Sequence, residues 1–103
     1  MKPYLILYDI ASNKIRNRVA REILRAGLYR IQKSVFLGVS PPAEIQRLQT
    51  LFQEHIHKSG SPTDSYLIIP LTAYNIDELI HLVPEGTPFD LDLWLNRKTV
   101  VFI

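Results

Sequence analysis

The feature that most constrains this chain is an uninterrupted apolar run near its start, YLILYDI over residues 4–10. A strand with one wet face alternates apolar and polar positions; a continuous aromatic and aliphatic run suits a strand buried on both faces. The run therefore predicts a central strand of a covered sheet. Its only polar residue, Asp9, stands near its C-terminal end. Everything else must come from 103 residues, enough for one domain and one modest core. A chain of this size buries roughly 60–70 % of its unfolded surface. With 47 % hydrophobic and 21 % charged residues it is too apolar to be disordered.

A helix is predicted next. Ser12 and Asn13 are good N-caps, and Ile15, Val19, Ile23 and Ala26 repeat at helical spacing, with Ala20 and Leu24 beside them. Gly27 suits the position just past the helix end. Residues 29–37 alternate like a strand that Gly38 ends, with Arg30, Gln32, Ser34 and Phe36 on one side. Pro41 and Pro42 open a second helix, carrying Ile45, Leu48, Leu51, Phe52 and Ile56 at core spacing and stopping near Lys58. Residues 65–71 form a strand close to a sheet edge, because it includes Pro70. Residues 77–83 are read as a strand after a turn, and 84–88 as a loop. Residues 90–95 alternate, and 99–103 are strongly β-prone.

This order gives an α+β fold: a ferredoxin-like βαββαβ sandwich with an extra C-terminal strand, forming a single domain over 1–103. Two helices cover one face of an antiparallel sheet. The other face needs a cover, which a second copy of the chain supplies in a homodimer. The C-terminal strand, about 98–103, is expected to reach the partner's sheet edge.

Composition removes several classes. Without cysteine there is no disulfide scaffold, thiolate metal site, iron–sulfur cluster or cysteine nucleophile. No apolar run approaches the ~20 residues of a membrane span. Asp9 interrupts the N-terminal run and no cleavage site follows, so the expectation is a soluble cytoplasmic protein with no membrane partner. No Ser–His–Asp arrangement or glycine-rich phosphate loop can be argued. Residues 30–38 lack the glycine and aromatic spacing of an RNA-recognition motif, so phosphate contact is favoured over base stacking.

Charge is unevenly placed. From Lys14 to Lys33, seven cations face one anion, Glu22, for a net +6; from Ser34 onward the net is −4. At ~100° per residue, Lys14, Arg18, Arg21 and Arg25 fall on a stripe about 60° wide, away from the apolar helix face. Such a row is either a solvated helix face or a phosphate-binding one, and its single sign favours the latter. Lys14, Arg16, Arg18, Arg21 and Arg25 are the candidate nucleic-acid contacts.

Residues 8–10 at the strand end, then a polar turn, a basic helix and RIQKSVF at 30–36 resemble the CRISPR-associated protein 2 family. The likeness covers most of the chain. It is strongest over the first forty residues, and Asp64-Ser65 leading into Tyr66 is also similar. The resemblance implies a ferredoxin-like homodimer closed by exchanged C-terminal strands, with the family's aspartate at Asp9 and two copies of it facing across the dimer axis. It implies a role in spacer acquisition with the CRISPR integrase as partner. It also implies a magnesium-dependent endonuclease, a hydrolase cleaving phosphodiester bonds of single-stranded RNA or duplex DNA. Ser12 and Asn13 stand where family members often have acidic residues, which leaves fewer carboxylates near a metal.

On chemistry alone, Asp9 either caps the turn or helix after it, or binds a hard cation such as Mg2+ with its symmetry mate. Such a metal could generate hydroxide for hydrolysis, which makes Asp9 the candidate catalytic and metal residue. Tyr8 and Ser34 are candidates to stand beside it, against the plainer readings of a core tyrosine and a sheet hydroxyl. His55 and His57, two apart on a helix, point in different directions and read as surface residues. Asp90 and Asp92 read as a solvated strand face. Three functions remain: a nucleic-acid-binding adaptation subunit, purely architectural or not; an active metal nuclease; and a small-molecule-binding regulatory module. The third predicts no salt-sensitive DNA binding, whereas four neutralised phosphates give a salt slope of roughly −3 to −4.

Overall fold

In a computed structural model, which describes residues 1–88, 94 and 95, the apolar run becomes strand β1 (Lys2–Asp9). The elements that follow are α1 (Asn13–Arg25), β2 (Tyr29–Gln32), β3 (Val35–Ser40), α2 (Pro42–Ser59), β4 (Ser65–Pro70) and α3 (Ala73–Glu78). The sheet order is β2-β3-β1-β4, and each neighbouring pair is antiparallel. β1 is central as expected, and Ile6 sits opposite both Phe36 and Ile68. β4 lies at an edge, where the missing N–H of Pro70 removes no ladder bond on the outer side.

Period-two alternation turns Tyr4, Ile6 and Tyr8 toward the helices. There they meet Val19, Ala20 and Ile23 of α1 and Ile45, Leu48 and Phe52 of α2, with Phe36 fully buried among them. Ser12 caps α1 by accepting the Ile15 N–H at 3.3 Å. Gly27 leaves the helix at φ +98°, a conformation that favours glycine. Ser40, buried at the end of β3, donates its hydroxyl to the Ala26 carbonyl at 2.6 Å and ties that helix end to the sheet.

Four expectations are corrected. Residues 29–37 are not one strand: they fold back at Lys33 and Ser34 into the β2–β3 hairpin. Alternation is the same on both arms, so local pattern does not reveal the reversal. Gly38 does not end a strand; it lies inside β3, where a Cβ would come within 3.0 Å of the Leu28 Cα. Residues 77–83 form no strand. Instead α3 is capped by Thr72, whose side chain accepts the Asn75 N–H while the Asn75 side chain accepts the Thr72 N–H. Ile56 and Leu24 are exposed, whereas His55 takes the buried side of α2 next to Leu51.

The second sheet face is partly covered by the chain itself. Ile76, Leu79 and Leu95 pack there with Leu37, Leu5 and Ile31, while Leu67 and Ile69 of β4 stay exposed. The predicted strand at 98–103, Asp90 and Asp92 lie outside the described residues. No helix among the described residues is long and apolar enough to cross a membrane.

Candidate functional site

Three chain segments meet where β1 ends: the strand end itself, the first turn of α1, and the β2–β3 hairpin. Together they line a cleft of about 380 Å³ formed by Tyr8, Asp9, Ile10, Arg16, Asn17, Arg30, Lys33 and Ser34. Asp9 lies on the exposed side of the strand end. The capping work that Asp9 was a candidate for is done by others. Ser12 caps α1, and the turn's Ala11 N–H donates to Asp64 Oδ1 at 2.9 Å. The Asp9 carboxylate thus opens onto a cleft whose other charged members are cations.

Each of those cations is brought in by a separate contact. Arg16 donates from Nη1 to the Ile10 carbonyl at 2.9 Å, which folds its side chain back over the turn. Arg30 lies over the Phe36 ring, 5.1 Å from its centre, an approach that favours a cation. Lys33 and Ser34 form the hairpin turn, fixed to β1 because the Tyr8 N–H donates to the Ser34 carbonyl at 3.1 Å. α1 presents its N-terminal end with no acidic residue in the first turn, so its dipole adds positive potential.

The sequence-predicted residues divide. Asp9, Tyr8, Ser34 and Arg16 come together in the cleft. Tyr8 serves as its wall: it is buried, stacks on Phe36 with centroids 5.9 Å apart, and reaches the Lys33 carbonyl with its hydroxyl at 3.4 Å. Lys14, Arg18, Arg21 and Arg25 lie elsewhere. Arg18, Arg21 and Arg25 share the outer surface of α1 with Glu22 and Leu24, and Arg25 is paired to Glu22 at 3.1 Å. Glu22 also accepts from Arg47 of α2 at 2.7 Å, and that bond holds its carboxyl below the usual carboxylate range. Sequence reasoning missed Arg30, Lys33 and Asn17. They belonged to the basic segment, but nothing local showed that a hairpin would carry 30 and 33 back beside residue 9.

His55 was also misread. Its side chain is 8 % exposed, with Nδ1 2.7 Å from the Tyr66 hydroxyl and Nε2 3.3 Å from Asp64 Oδ2. Tyr66 stacks on Phe52 at 4.1 Å, and burial pushes its hydroxyl up to about 12, so it keeps its proton at neutral pH. The Tyr66 hydroxyl gives one imidazole nitrogen a hydrogen-bond partner and the Asp64 carboxylate stands near the other; both lie ten residues or so away along the chain.

The chemistry of the donors bears on a metal. Among the described residues no three acidic or histidine side chains gather to enclose an ion. The cleft offers the Asp9 carboxylate, the Ser34 and Tyr8 hydroxyls and the Asn17 amide oxygen, all hard oxygen donors. Mg2+ commonly binds through one or two carboxylates plus phosphate and water, so the donor set fits a site that phosphate completes.

Known proteins resemble this chain in sequence and in fold. The family model described as "CRISPR associated protein Cas2" matches residues 1–78. A CRISPR-associated endoribonuclease Cas2 from Francisella tularensis subsp. novicida is 42 % identical over 55 residues, 53 % of this chain and 57 % of that protein. The chain thus spans little more than half the length of that relative. A Cas1/Cas2 endonuclease fusion from Thermoproteus tenax is 49 % identical over 45 residues, 43 % of this chain and 17 % of the fusion. The crystal structure of Streptococcus pyogenes Cas2 at pH 6.5 has the same fold, with a TM-score of 0.62 at 24 % identity, covering 80 % of this chain and 99 % of that one.

Proposed function

This chain belongs to the CRISPR associated protein Cas2 family, and from that premise we propose that it is a CRISPR adaptation protein that grips nucleic-acid phosphates in the Asp9 cleft and cleaves phosphodiester bonds there. The observation that carries this reading is the convergence of Asp9 with Arg16, Arg30 and Lys33 in one cleft. Relatives named as endoribonucleases support the chemistry, and the natural fusion to Cas1 supports an integrase partner. A homodimer acting in the cytoplasm on RNA or DNA completes the proposal.

The chain's own residues would work as follows. Arg30 and Arg16 present guanidinium groups to phosphate oxygens, and each is already held by the protein, so little side-chain entropy is lost on binding. Lys33 adds a point charge at the hairpin. Ser34 offers a hydroxyl to a phosphate or to a bound water. Asp9, with its copy in a second subunit, would hold Mg2+, which supplies Lewis-acid charge neutralisation and an activated water. Phosphate contacts carry no base sequence, so little sequence preference is expected.

A second reading, a purely architectural DNA-binding dimer, is favoured by one observation: cations outnumber carboxylates three to one in the cleft. Nuclease assays of wild type and Asp9→Ala, on RNA and duplex DNA, with magnesium and with chelator, separate the two. Chelator-sensitive cleavage that falls at least about 100-fold in Asp9→Ala, with binding retained, is the expected result. Binding without cleavage in every condition leaves the architectural reading. A flat salt titration of binding would sink both, because counterion release makes phosphate binding salt-sensitive.

A further inference from the structure

The β1–α1 turn is held from an unexpected direction. Asp64 lies 53 residues beyond Ala11 in the chain, yet its Oδ1 accepts the Ala11 N–H at 2.9 Å. Its Oδ2 accepts the Ser61 N–H at 3.0 Å. One short carboxylate therefore clips the turn after Asp9 to the loop before β4. The Asp64 side chain is only 2 % exposed, although the Ala11 end of the clip reaches the surface.

The residue type is dictated by the donors. Two N–H groups pointing at two oxygens need an acceptor with no hydrogen of its own, which is a carboxylate. Asparagine has the same shape but offers one oxygen, and its NH2 group would face the second N–H. Asp64 is also backed from within. His55 Nε2 stands 3.3 Å from Oδ2, and the Tyr66 hydroxyl stands 2.7 Å from His55 Nδ1. A protonated Tyr66 can donate to Nδ1, which leaves the imidazole proton on the side facing Asp64. The His55 Nε2 atom is buried and makes no aligned hydrogen bond among the described residues. A buried polar atom in that condition calls for a reason.

We propose that Asp64, braced by His55 and Tyr66, is the positioning residue of the cleft: it fixes the turn at Ala11 and so sets where Asp9 and Arg16 stand. Arg16 is tied to the same turn through the Ile10 carbonyl, so a displaced turn moves the anion and the cation together. This inference rests on the reading of Asp9 as a metal-holding residue, and it assigns the function of a network outside the cleft that no nucleic acid need touch.

The test uses amide hydrogen exchange and manganese binding, followed by NMR on the full chain. Wild type is compared with Asp64→Asn, Tyr66→Phe and Asp9→Ala. In Asp64→Asn the Ala11 amide is expected to exchange about tenfold faster or more, since at best one neutral oxygen replaces the charged acceptor. The Ile6 and Phe36 amides of the central sheet should keep their protection. The Mn2+ concentration that broadens the amides of residues 8–10 should rise about tenfold, as when a group supporting a metal ligand is removed. Tyr66→Phe should show the same changes at about threefold, because it keeps the stack on Phe52 and loses only the hydroxyl.

Unchanged Ala11 exchange in Asp64→Asn overturns the proposal, as does unchanged Mn2+ broadening where wild type broadens and Asp9→Ala does not. If Asp64→Asn fails to fold, Tyr66→Phe decides, and unaltered Ala11 exchange there overturns the proposal. Failure of the parent reading looks different. Broadening that is absent from wild type, or equal in Asp9→Ala, removes Asp9 as the metal holder, and Ala11 exchange alone then decides the role of Asp64.

Discussion

The protein carries two sets of cations within one short basic segment, and they are built differently. Arg16, Arg30 and Lys33 line a cleft, and the two arginines are each held by a specific partner, the Ile10 carbonyl and the Phe36 ring. Arg18, Arg21 and Arg25 share the outer surface of α1, where Arg25 is bonded to the anion Glu22. Under the proposed function, the exposed row would raise the local potential and speed encounter with a polyanion. The held pair would fix where a phosphate stops. One sequence segment would then supply both attraction and position, with the fold deciding which residue does which.

Removing members of each set is the most direct way to break that comparison. Arg16→Ala with Arg30→Ala should weaken binding to a short RNA or duplex by about 100-fold, on the scale of two charge-assisted bonds lost. Arg18→Ala with Arg21→Ala should cost far less near physiological salt. Its signature is a slope of log affinity against log salt that is shallower by about 0.9 per arginine on duplex DNA. Equal losses of affinity and equal slopes for the two pairs would erase the distinction. Both are read from binding titrations at three or four salt concentrations.

A gentler change sharpens it. Phe36→Leu keeps most of the core volume, so stability should fall by about 1.5 kcal/mol or less in denaturant unfolding. It removes the ring under Arg30, worth about 0.5 to 1 kcal/mol, so binding should weaken about two- to fivefold. Retained affinity would mean that Arg30 needs no platform.

Glu22→Gln is the smallest expected effect. It frees Arg25 and removes a partner of Arg47, so the salt slope should steepen slightly. Stability should change by no more than about 1 kcal/mol, because exposed ion pairs contribute little. The sign with pH follows from the carboxyl being held below its ordinary value of 4.5. Its contribution is fully present above pH 4.5 and is lost as pH falls through the lowered value. Thermal melts of wild type and variant should therefore converge on acidification.

What could be read from the chain alone was whatever short-range pattern fixes. β1 follows from an unbroken apolar run, α1 from Ser12, a helical apolar period and Gly27, and the edge position of β4 from Pro70. Asp9 at the strand end was legible for the same reason, since it is the one polar residue in that run. The motifs at 8–10 and 30–36 carried the family likeness, and motifs of this kind are local by nature.

Tertiary structure decided the rest, wherever a residue's role depends on a partner far along the chain. The turn at Lys33 and Ser34 exists because β3 pairs with β1 and Phe36 must meet Ile6. That pairing, invisible to alternation, is what brings Arg30 and Lys33 to Asp9. α3 replaced the expected strand because a capping box at Thr72 and Asn75 met a sheet face that Ile76 could cover. His55 is buried only because Tyr66 and Asp64 wait on β4 and the loop before it, and Asp64 reaches across 53 residues to the Ala11 amide. Composition and period set which residues go inside and which are charged; cross-strand register sets which of them meet.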